Sequence, residues 1–164
     1  MIPAPEFSRL VPVDRIGPEG VVQTITATDA ECTALARRLG VPAVRALTAT
    51  FRLSRGDSGR IAAAASLVGR LVRECVVSLD EFETDIAEEF ALAFVPQEQL
   101  DETIDLEGVD EIAYSGGAID LGEAAAEQVA LTLDPYPRKP GAALDLGSEV
   151  GRESPFAVLR GRRH

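Results

Sequence analysis

Leu47-Thr48-Ala49-Thr50-Phe51-Arg52-Leu53 alternates apolar and polar side chains without a break. Successive side chains of a strand point to opposite faces, so this stretch predicts a strand with one face buried. A turn, Ser54-Arg55-Gly56-Asp57-Ser58-Gly59, follows, and beyond it an extended run from Arg60 to Arg73. The alanines at 62–65 are helix formers by propensity. Their place between a glycine turn and Leu67-Val68-Gly69-Arg70-Leu71-Val72 favours the return strand of a long hairpin. From Phe82 the even positions read Phe82, Thr84, Ile86, Glu88, Phe90, Leu92 and Phe94, a second one-faced strand, with Glu88-Glu89 as a candidate bend or bulge. Between these runs, Glu74-Cys75-Val76-Val77-Ser78-Leu79 reads as a short strand and Asp80-Glu81 as a turn.

Val21 to Ala27 is β-branched and predicts another strand, preceded by a looser alternation from Phe7 to Val13. Thr28 and Glu31 have capping-box spacing, and Gly40 and Pro42 stop the helix they begin. Gln97 to Gly117 is polar and reads as a surface excursion. Asp120 caps a second helix that Pro135, Pro137 and Pro140 end. The expected fold class is therefore α+β, a mainly antiparallel sheet of about five to seven strands with two principal helices near 29–39 and 120–133. The pattern leaves closure into a barrel open. One domain is expected over 1–141, with a loosely ordered tail over 142–164 in which Ser154 to Leu159 reads as a last helical turn.

The net charge of −11 over 164 residues conceals segregation. Residues 1–73 carry 10 Arg and 6 acids; residues 74–137 carry 18 acids and no Lys or Arg; residues 138–164 carry 6 basic and 3 acidic side chains. The middle block reads either as a solvated acidic surface or as a surface for a basic partner. No apolar run approaches the length of a membrane span, and the N-terminus lacks the features of a signal peptide, so a cytoplasmic protein is expected. Cys32, Cys75 and His164 are too few for a structural zinc site and leave no Ser-His-Asp arrangement, and no cofactor or metal is expected.

Few clusters carry chemistry. Asp120, Glu123 and Glu127 share helical spacing and are the candidates for a metal-dependent enzyme, although the polar face of a helix explains them as well. Gly116-Gly117 has no Lys after it and is no phosphate loop. Cys75 reads as a buried small hydrophobe, with Arg70 and Arg73 near in sequence. The unusual stretch is Asp134-Pro135-Tyr136-Pro137-Arg138-Lys139-Pro140-Gly141, in which three prolines hold an extended path beside one ring and two cations. It reads as a surface for unpaired nucleotides or a protein groove, or as a terminator that packs Tyr136 onto the core. Asp134, Tyr136, Arg138 and Lys139, with Arg70 and Arg73, are the candidate partner-binding residues.

Glu6 to Asp14, Glu74 to Phe82, Ile119 to Glu123 leading into Asp134 to Gly141, and Ser154 to Leu159 together resemble the YceD family, most of all its alphaproteobacterial branch. The resemblance implies a role in accumulation of the large-subunit (23S) ribosomal RNA and brings no catalytic residues with it. Many relatives have Cys-x-x-Cys in the centre. Here Ser78 stands where the second cysteine would be. Two mechanisms suit a non-enzymatic biogenesis factor: an acidic surface that holds a basic ribosomal protein, or Arg contacts to the rRNA itself. A sequence pI near 4.5 favours the first.

Overall fold

The computed structural model describes residues 5–99 and 109–143. Nearly all of the expected tail, 142–164, lies outside them. Leu47–Leu53 falls inside β3 (Ala43–Arg55), and Leu47, Ala49, Phe51 and Leu53 are buried while Arg52 is exposed. β4 (Ile61–Glu74) returns antiparallel to it, with Ile61, Ala63, Ala65 and Leu67 inside and Ala62, Ala64, Ser66 and Val68 outside. The alanines are thus in a strand: packing on one face overrides their helix propensity. Each fully buried Leu or Phe on that face contributes roughly 2–3 kcal/mol relative to exposure, which fixes the register.

β2 (Val21–Thr26) pairs with β3, and β5 (Glu81–Pro96) pairs with β4 from Glu81 to Phe94. β6 (Asp110–Tyr114) adds to the last part of β5 in parallel, giving a five-stranded sheet in the order β2-β3-β4-β5-β6. β1 (Leu10–Pro12) and β7 (Ala118–Asp120) form a separate antiparallel pair. Among the described residues the sheet is open and mixed, without barrel-like closure. α1 (Asp29–Leu39) and α2 (Leu121–Thr132) supply Leu35, Ala36, Leu121, Ala125 and Val129 to the same core as the inner face of the sheet. The other face, with Val22, Ala64 and Val68, is exposed.

Three local expectations are corrected. Cys75–Asp80 is the turn of the β4–β5 hairpin, because Glu74 pairs with Glu81 and six residues remain to close the loop. Cys75 N–H donates to Asp80 O, Leu79 N–H donates to Cys75 O, and Leu79 takes φ +60. Glu88-Glu89 carries no bulge, since the β4–β5 register runs unbroken; the irregularity falls between Val44 and Ala46 of β3. The polar excursion over 97–117 contains β6, whose Ile112 and Tyr114 are half-buried against the core cluster and whose Tyr114 hydroxyl donates to Gly59 O at 2.6 Å.

Both helix starts form as read. Thr28 and Glu31 make the reciprocal capping box, and Gly40 ends α1 in the left-handed region at φ +65. Asp120 Oδ1 accepts from the N–H groups of Gly122 and Glu123 at 3.0 and 3.2 Å, and from Arg9 N–H at 2.8 Å.

Candidate functional site

The carboxylate cluster of the enzyme reading is taken apart by the fold. Asp120 caps α2 and also accepts the Ser8 hydroxyl through Oδ2. Glu123 holds Arg38 through two contacts of 2.6 and 2.8 Å, and Arg38 also reaches Glu6 at 3.1 Å. This clamp raises the Arg38 pKa, the Glu123 hydrogen bond first, and joins α1, α2 and the N-terminal segment. Glu127 is exposed one turn further on. Among the described residues, no three His, Cys, Asp or Glu side chains converge as metal ligands.

The proline-rich stretch does converge with other surface groups. Asp134 Oδ1 accepts the Tyr136 N–H at 2.8 Å, a local turn that sets the path of the prolines. Pro137 O accepts the Val76 N–H at 2.9 Å, and Lys139 Nζ lies 3.5 Å from Asp80 Oδ2. The segment after α2 therefore docks on the β4–β5 turn. Arg73, on the inner face of β4 and only 9% exposed, donates to Asp134 O beneath this corner. A cleft of about 470 Å3 opens beside it, lined among others by Arg38, Pro42, Arg73, Glu74, Asp134 and Pro137.

Tyr136 points outward, 70% exposed, so the reading that packs it onto the core is set aside. Leu79, also 70% exposed, and Val76 lie on the turn that Pro137 holds. The corner thus displays a ring and two aliphatic side chains on paired turns, with exposed Arg138 and Lys139 in the same segment. Sequence reasoning missed Val76 and Leu79 because it placed them in a strand. Their signal was the β4–β5 register, which no single-strand pattern contains.

Arg70 belongs elsewhere. It lies three residues from Arg73, and an odd spacing in a strand reverses the face. Its guanidinium pairs with Asp85 on the exposed face of the sheet, Nε to Oδ1 at 2.7 Å, raising its own pKa and lowering that of Asp85. The structure therefore brings together Arg73, Asp134, Tyr136, Arg138 and Lys139, and leaves Arg70 outside.

Cys75 is fully covered at the base of the corner. Burial alone raises a thiol pKa. Here the Ser78 hydroxyl, then the backbone N–H groups of Lys139, Ser78 and Val77, donate toward the sulfur and hold it below its ordinary value. Ser78 thus faces Cys75 from the position of the absent second cysteine. Cys32, buried in α1, is raised instead, by burial first and by Asp29 and Glu31 after it.

The YceD family, described as the large ribosomal RNA subunit accumulation protein, matches residues 63–158, more than half of the chain and inclusive of this corner. The chain belongs to the YceD family. No curated protein and no solved structure matches it. The family description names rRNA accumulation and no reaction. No helix among the described residues is long and apolar enough to cross a membrane.

Proposed function

We propose that this YceD-family protein supports large-subunit rRNA accumulation without catalysing a reaction, by holding a basic ribosomal protein on its acidic surface. One observation carries the choice between the two mechanisms. Arg15, Arg37, Arg52 and Arg55 are exposed without an ion pair among the described residues, but Arg38, Arg45, Arg60 and Arg70 pair with Glu123, Glu83, Glu111 and Asp85 of the acidic block. Cations so engaged are poorly placed to neutralise phosphates, from which most nucleic-acid affinity derives. Meanwhile Glu81, Glu88, Glu89, Asp110 and Glu127 enter no ion pair among the described residues. With a net charge of −11, the balance of uncompensated charge favours a cationic partner.

The Tyr136 corner, with Arg138 and Lys139, supports a secondary rRNA contact, since a ring beside cations suits an unpaired base. A strain depleted of the protein tests the function: 23S rRNA falls relative to small-subunit rRNA and recovers on complementation. An unchanged ratio sinks the proposal.

A further inference from the structure

β5 is 16 residues long, and β4 covers one of its edges from Glu81 to Phe94. On the other edge β6 pairs only with Leu92–Pro96. Among the described residues no strand pairs with that edge from Glu81 to Ala91. Alternate residues there aim both N–H and C=O away from the sheet, a template for another extended chain. Phe82, Thr84, Ile86, Glu88 and Phe90 stand half-buried on the inner face, and Glu81, Glu83, Asp85, Ala87 and Glu89 are exposed on the outer one. Where β6 begins, a groove of about 270 Å3 has Phe90, Ile112 and Leu131 among its walls, with Asp110 and Glu127 beside them. Leu131 is 75% exposed there.

We propose that the Glu81–Ala91 edge of β5 receives an extended cationic segment of a partner protein as an added strand in line with β6; this rests on the basic-partner reading above. Charge decides the occupant. A second copy of this chain would set carboxylates against carboxylates, and like charges directly opposite are destabilising. A segment alternating aliphatic and Arg or Lys side chains satisfies both faces: apolar groups beside Phe82, Ile86 and Phe90, cations beside Glu81 and Glu89, the outer-face carboxylates of this edge that enter no ion pair among the described residues. The backbone bonds supply affinity and the alternation supplies selectivity.

The test titrates the full-length protein with a synthetic peptide of about ten residues alternating Val and Arg, read by amide NMR shifts. Shifts concentrate at Phe82–Phe90. N-methylation of every second peptide nitrogen weakens binding about tenfold, and Glu81→Gln with Glu89→Gln does the same, both sites being exposed. Equal binding by the N-methylated peptide overturns the added strand in favour of charge attraction alone. The same shifts from single-stranded RNA overturn it in favour of nucleic acid. Edge-facing amides already protected before peptide is added overturn it in favour of a segment of this chain, and dimerisation overturns it in favour of a second copy. A peptide that fails to bind removes the docking site and leaves the 23S phenotype standing, so the two proposals fail separately.

Discussion

The backbone N–H of Val76 donates to the carbonyl oxygen of Pro137 at 2.9 Å, joining the β4–β5 turn to the proline-rich segment that follows α2. Two stretches more than fifty residues apart thus present one surface. Tyr136 and Leu79, each 70% exposed, project from it with little part in the core. Tyr136→Ala with Leu79→Ser should change stability by less than about 0.5 kcal/mol, as surface substitutions do. If the corner contacts a partner, the same variant fails to restore 23S rRNA in a depleted strain. Full restoration would show that the corner is only a structural joint.

Beneath that surface, the Ser78 hydroxyl is the largest influence holding the Cys75 thiol down. Ser78→Ala should move the thiol titration upward, read by thiolate absorbance against pH with Cys32 replaced by Ala as a background. A thiol whose pKa is lowered by folding contributes stability above its unfolded value near 9, and that contribution is lost as pH falls through the folded value. Wild-type stability should therefore rise with alkaline pH more steeply than that of the Ser78→Ala protein. Superimposable titrations would place the Ser78 hydroxyl elsewhere.

Arg9 grips Glu31 with contacts of 2.6 and 2.8 Å and lies 4.9 Å from the centre of the Phe7 ring. The Arg9 hydrogen bond is the main reason that the Glu31 carboxyl falls to about 2, with Thr28 adding to it. A lowered carboxylate pKa gives stability that is present above the unfolded value of 4.5 and is lost as pH falls toward 2. Glu31→Gln should thus cost about 1 kcal/mol at pH 7 from the lost ion pair, since a Gln side chain keeps the capping-box acceptor. The two proteins should converge in thermal stability near pH 2. A constant gap across that window would mean that the loss is packing and not charge.

Gly122 lies under the N-terminal segment: an added Cβ would stand 2.6 Å from Phe7 O and 2.9 Å from Ser8 Cα. Backbone on both sides leaves little room to yield, so Gly122→Ala should destabilise by about 2 kcal/mol in denaturant melts. Gly17→Ala, where nothing lies within 4 Å, is the neutral control. Equal midpoints for the two variants would show that the N-terminal segment is not seated on α2.

What could be read from the chain was whatever one element's own pattern determines. Leu47–Leu53 and the even face of Phe82–Phe94 announce their strands by period, and Thr28–Glu31 and Asp120 announce helix starts by local hydrogen bonding. What pairing decides was not legible. Val76 and Val77 are β-branched, yet the Glu74–Glu81 register makes them a turn. Ile112 and Tyr114 sit among acids and become a strand only because Phe94 and Pro96 pair beside them. The candidate site divides the same way. The Asp134–Lys139 stretch stood out by composition, whereas Val76 and Leu79 reach it only through the hairpin. The separation of Arg70 from Arg73 followed from their spacing in a strand and was overlooked.

In the proposed function the acidic surface, and not the Arg residues, holds the partner in large-subunit assembly. The most direct measurement is a salt-graded pull-down with the full-length protein and its Glu81→Gln, Glu88→Gln, Glu89→Gln variant, with proteins and RNA quantified after ribonuclease treatment. A basic large-subunit ribosomal protein should bind at low salt, survive ribonuclease, and be lost both at high salt and in the triple variant. Recovery of 23S rRNA fragments unchanged by the triple variant, with no ribosomal protein surviving ribonuclease, would contradict it.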